Sequence, residues 1–426
     1  MKIGIIGAGI IGLSAAYELS KKENVVLFEK ENFLGGISSS FIIDKKYPLD
    51  KFYRHIFSCD FNLISMIQEL GLEKNVKWNH SRMGLFYDGK AHDFSSQIDI
   101  LKFKPLGLID KLKFAWTTIY LAKLKNWKKF EDISAENWLK NRVGKTYDVV
   151  WEPLLRSKFG EDSNLISMSW FWNKIWYRMQ TRKKFMSKEM QGYLMGSFQL
   201  MIDTIGKKIK ENKGEIFLNS PITSIFRKHG KIIVKTNKKS FSFDKVIFSA
   251  DLPEFLKITR DLPEKYEEKL KKIKYRAALV LILRLNKSFM PYYWLNISDT
   301  KAPFVMSMEH TNFVPKENYG GSTILYLSNY TSKDDKRYHL EKKELIKIYL
   351  PYLKKINPDF DEEWIKDSWL FKTNYGTHIP TLRYSEMIPP HKTPIEGLFL
   401  ATGCQIYPVD RGMSECISLG EKIAKK

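Results

Sequence analysis

The feature of this sequence that most constrains its fold is a glycine-rich turn near the N-terminus, Gly7-Ala-Gly9-Ile-Ile-Gly12. The turn lies between a predicted strand, Lys2–Ile6, and a predicted helix, Leu13–Leu19, and a second predicted strand, Val25–Phe28, ends at Glu29. In such a unit the first glycine permits a tight turn, the second lets the backbone approach a pyrophosphate, and the third lets the helix pack closely on the strand. The order of strand, turn, helix, strand and acid predicts a dinucleotide site.

The beginning of this helix supplies the groups that such a ligand needs. Its first backbone N–H groups have no partner within the helix, and together with the positive end of the helix dipole they favour phosphate binding. Glu29 stands at the distance from Gly9 at which an acid accepts hydrogen bonds from a ribose. The candidate contacts of this segment are Gly7, Gly9, Ile10, Ile11, Gly12, Glu29 and Lys30.

A second glycine pair, Gly35-Gly36, follows Glu29 after a short loop, and a nicotinamide-binding unit has no need of it. The pair resembles the segment that passes the FAD pyrophosphate and ribose in flavoproteins of the glutathione-reductase-like superfamily. The chain is thus similar to FAD-dependent enzymes of the amine oxidase, protoporphyrinogen oxidase and phytoene desaturase group. An arginine often follows the pair in this group, whereas Ile37 and Ser38 stand there in this sequence. The resemblance implies that the cofactor is FAD.

The C-terminal segment carries the same resemblance. Gly397–Gly403 has the pattern of a turn, a buried strand and a glycine, and a polar loop then leads into an apolar helix over Ser414–Ala424. In the group, the equivalent glycine lies at the cofactor and the helix N-terminus faces the pyrimidine end of the flavin, where a helix dipole stabilises negative charge. The resemblance implies contacts from Gly403, Asp410, Gly412 and Met413.

A third similar segment lies mid-chain. A strand and a turn are predicted over Ile216–Ile225, a hairpin over Lys231–Phe243 and a buried strand over Asp244–Ala250. A strand pair passes the adenine side of FAD in the group, so the resemblance places the backbone of Pro221 and Ile222 near the adenine.

The resemblance implies an α/β protein, α+β overall, with a Rossmann-like FAD-binding domain of glutathione-reductase type and a substrate domain of mixed sheet and helices. A chain of 426 residues is also long for a single hydrophobic core. We predict a discontinuous FAD-binding domain over 1–85, 190–255 and 395–426, and a substrate domain over 86–189 and 256–394. In the substrate domain, Ser134–Trp151 predicts a helix capped by Ser134, and Arg276–Leu285 and Ile324–Leu327 predict strands.

Composition narrows the setting in which the protein works. The three cysteines, Cys59, Cys404 and Cys416, are far apart and predict neither a disulfide framework nor a metal site, which fits a reducing cytoplasm. No apolar run reaches the length of a transmembrane helix. The net charge of +22 comes without a nucleic-acid recognition motif, so we expect no nucleic-acid partner. Genome composition, an anionic substrate and an acidic membrane surface all agree with the charge.

The segment Leu108–Phe130 mixes large apolar side chains with six lysines. It fits a helix on a membrane interface, and it equally fits a helix of the substrate domain with a solvated polar face. The even spread of lysines along the rest of the chain favours the solvated face. The oligomeric state cannot be deduced from the sequence.

Two polar clusters are the candidates for catalysis. Arg54-His55-Ile-Phe57 follows the glycine pair, and Met308–Phe313 contains His310 and Asn312 at a predicted strand end. A surface loop or a histidine satisfied by its neighbours is the alternative for the second cluster. UDP-galactopyranose mutases carry a similar His-Ile-Phe stretch and an Ile-Glu-His stretch. We predict that Arg54, His55, His310 and Asn312 share one cavity beside the flavin, and four arginines are candidates for holding a diphosphate: Arg156, Arg178, Arg383 and Arg411.

Three functions remain open. The first is an FAD-dependent oxidoreductase that transfers hydride to the flavin from a small or amphipathic substrate, with or without an anionic group. The second is a non-redox flavin-dependent mutase of nucleotide sugars in glycan biosynthesis. The third is a flavin-binding protein without catalysis. Amine oxidases often place two facing aromatic rings in front of the flavin. Tyr407 has no evident aromatic partner in the sequence, so a simple amine substrate is less favoured.

Overall fold

The structure is a computed structural model that describes residues 1–180 and 190–426. The strands are β1 Lys2–Ile6, β2 Asn24–Phe28, β3 Ser40–Ile43, β4 Tyr47–Asp50, β5 Ile56–Phe57, β6 Val76–His80, β7 Met83–Tyr87, β8 Lys90–Asp93, β9 Met190–Leu194, β10 Glu215–Phe217, β11 Ile222–Lys228, β12 Lys231–Thr236, β13 Ser240–Phe243, β14 Lys245–Phe248, β15 Tyr275–Leu285, β16 Trp294–Ile297, β17 Met306–Glu309, β18 Thr323–Thr331, β19 Ile365–His378 and β20 Leu398–Leu400.

Helices alternate with these strands. They are α1 Ile10–Ser20, α2 Phe61–Glu69, α3 Gln97–Lys102, α4 Leu108–Lys123, α5 Ala135–Val143, α6 Glu152–Phe159, α7 Met168–Gln180, α8 Gln199–Glu211, α9 Leu252–Ile258, α10 Glu264–Lys271, α11 Lys336–His339, α12 Lys342–Ile356, α13 Tyr384–Met387 and α14 Met413–Ala424. The protein is a mixed α/β structure.

A parallel sheet of five strands gathers segments that are far apart in the chain. Its order is β10-β2-β1-β14-β20, and every neighbouring pair is parallel. Strands β1, β2, β14 and β20 are buried almost throughout, as expected for a parallel sheet with both faces covered. The sheet thus places the N-terminal glycine turn, the residues after β14 and those after β20 at one edge, because the carboxyl ends of parallel strands meet there.

The predicted elements of this sheet are confirmed with small shifts. Helix α1 begins at Ile10, three residues before the predicted start, because Gly9 is its N-cap and the turn passes directly into the helix. The predicted hairpin forms the antiparallel sheet β11-β12-β13, and Asp244–Ala250 contains β14.

The second large sheet is mixed and has seven strands. Its order is β19-β15-β18-β17-β16-β7-β8, and it includes the predicted strands at 276–285 and 324–327. Apolar side chains of β15 and β18 share the largest hydrophobic core with those of α1 and α14, and the core includes Val280, Ile282 and Tyr326. Strand β7 pairs with β16 and β8, so the chain enters this sheet just before residue 85.

Two predicted helices are shorter than their sequence patterns. Ser134 caps α5 and accepts a hydrogen bond from the N–H of Asn137, as predicted, but α5 ends at Val143 because Gly144 has a positive φ of 57°. The segment 108–130 forms an α-helix from Leu108 to Lys123 and a separate short 3-10 helix over Lys128–Phe130. No helix of residues 1–180 and 190–426 combines the length and the apolar character needed to cross a bilayer.

Candidate functional site

The N-terminal glycines form a turn whose three members have different surroundings. Gly7 has a φ of 99°, which a residue with a side chain rarely adopts. A Cβ at Gly12 would lie 1.9 Å from the carbonyl oxygen of Gly7, so only glycine lets α1 begin this close to the strand. A Cβ at Gly9 would meet no atom within 4 Å. The turn is therefore tight on the protein side and open where a pyrophosphate is predicted.

Glu29 is held at the end of β2 by backbone groups. Its carboxylate accepts hydrogen bonds from the N–H groups of Ala8 (2.8 Å) and Glu31 (3.0 Å) and is buried. The carbonyl of Glu29 accepts from the N–H of Ser220 (2.8 Å), so Pro221 and Ile222 follow directly beside it. Lys30, by contrast, is exposed.

The second glycine pair packs against the first turn. The N–H of Gly35 donates to the carbonyl of Ala8 (2.8 Å), and a Cβ at Gly36 would lie 3.6 Å from the Cα of Gly9. Ile37 is partly exposed, and its carbonyl accepts from Arg54 Nη2 (2.8 Å). An arginine thus reaches the end of the glycine pair from a position further along the chain.

The C-terminal segment reaches the same edge of the sheet. Gly412 is the N-cap of α14, and Met413 at its start is buried. A Cβ at Gly403 would lie 2.5 Å from Cδ of Arg411, so the glycine makes room for this side chain. Arg411 donates to the carbonyl of Gly376 (2.7 Å) and lies 3.6 Å from the carboxylate of Asp251.

These residues fit a dinucleotide. The open space at Gly9, the N-terminus of α1, the fixed Glu29 and the second glycine pair form one continuous backbone cradle around a helix start. The predicted contacts Ile10, Ile11 and Ser38 are buried at the base of this cradle and support it.

A set of side chains next to the cradle is only partly exposed to solvent, which indicates that these side chains line a recess, called the cavity below. Burial has a strong effect on the pKa of each one, yet none is fully enclosed by protein. They are Tyr53, Arg54, His55, Lys174, Tyr330, Asp410, Arg411 and Cys416.

Two lysines share one carboxylate in this wall. Lys158 Nζ lies 2.5 Å from Asp410, and Lys174 Nζ also donates to Asp410. Burial alone would raise the pKa of Asp410, but Lys158 and Lys174 outweigh it and hold that pKa far below its usual range. For Lys174, burial lowers the pKa to about 8 although Asp410 opposes the shift. The cluster carries one more positive charge than negative.

The four candidate arginines separate into two pairs. Arg411 lines the cavity wall, and Arg178 on α7 lies 5.3 Å from the ring of Phe57. Arg156 pairs with Glu152 and Arg383 pairs with Asp132, both at the surface. Side-chain exposures of 56% and 66% show that Arg156 and Arg383 face solvent in these pairs.

His55 lies in the wall beside cations. Its Nδ1 is 3.2 Å from the hydroxyl of Tyr293, and its ring meets Phe57 edge to face. Burial and the neighbouring Arg178 and Lys174 lower the pKa of His55 to about 3. The imidazole is therefore neutral at physiological pH and is a poor proton acceptor there.

The second predicted cluster is engaged in the fold. His310 is buried, its Nε2 is 2.8 Å from the hydroxyl of Tyr319, and burial lowers its pKa to about 3. The amide of Asn312 donates to the carbonyls of Met290 (2.7 Å) and Tyr292 (2.9 Å). Both donor hydrogens of Asn312 are thus used, and the catalytic roles of His310 and Asn312 stay predictions.

Glu309, the acid of the same cluster, has a structural role. Its buried carboxylate accepts from the hydroxyl of Ser288 (2.7 Å) and from the N–H groups of Phe289 and Met290 (2.8 Å each). The acid and the amide therefore fasten the chain that enters β16.

Sequence reasoning missed Lys158 and Lys174. Lys174 lies in the aromatic run Trp170–Trp176 of α7. A lone lysine among buried aromatic residues was a usable signal, because a lysine is rarely buried unless it has a partner. The partner, Asp410, is 236 residues away, and only the fold brings them together.

The comparisons with known proteins agree with the residue pattern. Residues 11–406 match the model of the flavin containing amine oxidoreductase family. The zeta-carotene desaturase of Solanum lycopersicum is 34% identical over 77 residues, which are 18% of this chain and 13% of that protein. The protoporphyrinogen oxidase of Dictyostelium discoideum is 26% identical over 279 residues, 56% of this chain and 48% of that protein. The chain thus spans less than half of either relative.

Solved structures with the same fold cover nearly the whole chain. A candidate protoporphyrinogen oxidase from Exiguobacterium sp. 255-15 superposes with a TM-score of 0.80 at 17% identity, covering 100% of this chain and 98% of that one. A putrescine oxidase bound to putrescine gives 0.76 at 13% identity, with 100% and 98% covered. A reduced UDP-galactopyranose mutase gives 0.75 at 16%, with 99% and 95% covered. At these identities the similarity concerns the fold.

The fold and the cradle define a flavoprotein. The chain belongs to the flavin containing amine oxidoreductase family. Its cofactor is FAD.

Proposed function

We propose that this protein is an FAD-dependent oxidoreductase that transfers hydride to the flavin from a small or amphipathic substrate with an anionic group. When bound, FAD supplies the two-electron acceptor for this reaction. The observation that carries the proposal is the wall of the cavity, where Lys158, Lys174 and Arg411 stand against Asp410 and Asp251 next to the glycine cradle. Arg54 and Arg178 lie in the same region. So do three further acids, Asp50, Asp60 and Glu415, and burial raises the pKa of each of them, which favours their neutral forms.

The residues of the wall would bind and orient the substrate. Lys174 loses its positive charge at a lower pH than an ordinary lysine does, since its pKa is about 8. An anionic group of the substrate that approached Lys174 would replace part of the interaction with Asp410. Tyr53, His55 and Phe57 would form the less polar part of the wall, with the neutral His55 as a hydrogen-bonding group that orients the substrate.

The test uses the FAD-loaded protein under nitrogen and matched pairs of compounds, each an anionic acid with its neutral ester or amide. Loss of the visible absorbance of oxidised flavin measures the reaction. We expect the acid of a pair to react with a KM about tenfold lower than its ester, and Lys174→Gln to remove this preference. Equal reaction of acids and esters in the wild type would contradict an anionic substrate. No reduction by any compound would favour a flavin-binding protein without catalysis.

A flavin-dependent nucleotide-sugar mutase is the second candidate, favoured by the arginines of the same region. Arg54, Arg178 and Arg411 offer forked donors that match a diphosphate. We would incubate the chemically reduced protein with UDP- and GDP-sugars and analyse the ring form of the sugar. A changed ring with no net oxidation would replace the oxidoreductase proposal by the mutase.

A further inference from the structure

Helices α3 and α4 carry an outward face of large apolar side chains. Its seven members have exposed fractions between 40% and 72%, and they lie within 23 consecutive residues of the chain. We call this set the apolar face: Ile98, Leu101, Leu108, Ile109, Leu112, Trp116 and Tyr120. Scattered exposed apolar residues need no explanation, but a contiguous set on a soluble surface marks a contact site.

The face is a defined side of α4. With 3.6 residues per turn, Leu108, Ile109, Leu112, Trp116 and Tyr120 span about 120° of the helix circumference. Thr117 and Leu121, the buried residues of α4, lie on the opposite side. The sequence left a solvated face and a membrane face open for this helix and favoured the first. In the structure the exposed side of α4 carries these apolar side chains.

The face is also fixed in position. Phe103 and Leu106, between the two helices, are buried in a core with Leu85 and Val149. Lys111 Nζ donates to the carbonyl of Leu101 (2.6 Å), which joins the two helices. On the inner side, Trp172 Nε1 of α7 donates to the carbonyl of Leu121 (2.9 Å). The apolar face is therefore held by packing and hydrogen bonds on its inner side.

The charge around the face favours one kind of partner. Five exposed lysines border it, whereas the two acids of α3 and α4 are engaged with backbone groups: Asp99 accepts from the N–H of Ser96 and Asp110 from the N–H of Lys145. Two copies of this face would bring lysines together. An acidic lipid surface would accept the apolar side chains and attract the lysines to its headgroups. The bordering lysines are Lys102, Lys104, Lys113, Lys123 and Lys125.

We propose that the apolar face of α3 and α4 docks the protein on an anionic lipid membrane. Trp116 and Tyr120 would lie at the headgroup level with Leu108, Ile109 and Leu112 below them. The lysines would contact the lipid phosphates.

This orientation connects the membrane with the cavity. Helix α4 packs on α7, and α7 carries Lys174 and Arg178 in the cavity region. A docked protein would hold that region within one helix layer of the lipid. An amphipathic substrate could then exchange between the membrane and the cavity, an extension that rests on the proposed function, whereas the docking itself does not.

The test is flotation of the FAD-loaded protein with vesicles of phosphatidylcholine alone or with phosphatidylglycerol added. We expect binding to the anionic vesicles at about 0.05 M salt and a clear loss at about 0.5 M. Leu112→Asp/Trp116→Asp should lower the bound fraction at least about tenfold because it places charge in the apolar region. The matched control is Ile348→Asp, an exposed isoleucine on α12 beside Lys347, which should bind like the wild type.

Each outcome decides the proposal. Retained FAD and an unchanged circular dichroism spectrum show that a variant is folded. A loss of vesicle binding by that variant is then caused by the change in the apolar face. A second variant, Lys102→Ala/Lys104→Ala, should reduce binding to anionic vesicles and leave the fold unchanged. A wild type that stays with the unbound protein at low salt overturns the proposal. So does a monomer–dimer equilibrium that Leu112→Asp/Trp116→Asp abolishes without any vesicle binding, since the partner is then a second copy.

Discussion

The glycine turn and the lysine cluster belong to neighbouring parts of the candidate site, and the chain encodes them in different ways. Gly7, Gly9 and Gly12 belong to one short motif, and the role of each depends on the backbone of residues close to it in the chain. Lys158 and Lys174 meet Asp410 over separations of 252 and 236 residues. The part of a site that depends on local backbone geometry can be predicted from the sequence. The part that depends on charges distant in the chain cannot.

The largest expected effect tests whether contacts within the glycine turn also determine the stability of the protein. Gly12→Ala should lower the free energy of unfolding by about 4 kcal/mol or more, because a Cβ 1.9 Å from the Gly7 oxygen forces α1 to move. The gain in helix propensity of about 1 kcal/mol is too small to compensate. Denaturant unfolding measures the change.

The matched variant is Gly9→Ala. Its Cβ meets no atom within 4 Å, so the apoprotein should keep its stability, while FAD affinity should fall at least about tenfold. Calorimetric titration with FAD measures this loss. If Gly9→Ala unfolds the protein, or binds FAD as tightly as the wild type, the division of roles within the turn is wrong.

The next effect concerns the distant charges. Asp410→Asn leaves Lys158 and Lys174 without their counter-charge and should cost about 2 kcal/mol, less than for a fully enclosed pair because water reaches part of the site. Asp410→Asn/Lys174→Gln should recover part of this loss. The control is Asp132→Asn, whose partner Arg383 is at the surface, and its thermal midpoint should hardly move. Equal shifts in Asp410→Asn and Asp132→Asn would show that the cluster is no more than a surface pair.

A pH profile sharpens the comparison further. Lys174 has a pKa of about 8, so it loses its positive charge as the pH rises through 8. KM for an anionic substrate should therefore rise about tenfold above that pH, with kcat less affected. In Lys174→Arg the side chain stays charged, and the rise should be absent. A flat profile in the wild type would argue against contact between Lys174 and the substrate.

The buried histidine should have almost no effect at neutral pH, and its effect appears only in acid. The pKa of His310 is about 3 in the folded protein and near 6.5 when unfolded. Below pH 6.5 the unfolded chain binds the extra proton, so this residue contributes a loss of stability of about 1.4 kcal/mol per pH unit as the pH falls toward 3. His310→Asn should reduce the slope of unfolding free energy against pH, and the exposed His229→Asn should leave it unchanged. Parallel slopes for wild type and His310→Asn would mean that His310 is accessible to protons.

The Glu309–Asn312 stretch shows where sequence reasoning exceeds its evidence. An acid, a histidine and an amide in succession suggest chemistry, but the same groups satisfy buried backbone N–H and carbonyl groups equally well. The hydrogen bonds of Glu309 and Asn312 go to backbone atoms of residues 289–292. Which partner a polar side chain finds depends on neighbours that are distant in the chain.

The segment at α4 shows the same dependence for a surface. Its residues fit either a solvated face or a membrane face, because the helical period alone does not say which side packs on the protein. The packing of Thr117 and Leu121 decided it, and this turned Leu112 and Trp116 outward.

The sequence by itself determined the dinucleotide cradle and the helix and strands around it, because these follow from backbone rules that act over about ten residues: glycine conformations, helix termini and strand periodicity. That the dinucleotide is FAD came from the resemblance to a family. Tertiary structure alone decided which charges line the cavity, that His55 and His310 are neutral, and which side of α4 faces outward. Those properties depend on desolvation and on Coulomb interactions between groups that the parallel sheet and the helices bring together, and no local pattern records such distances.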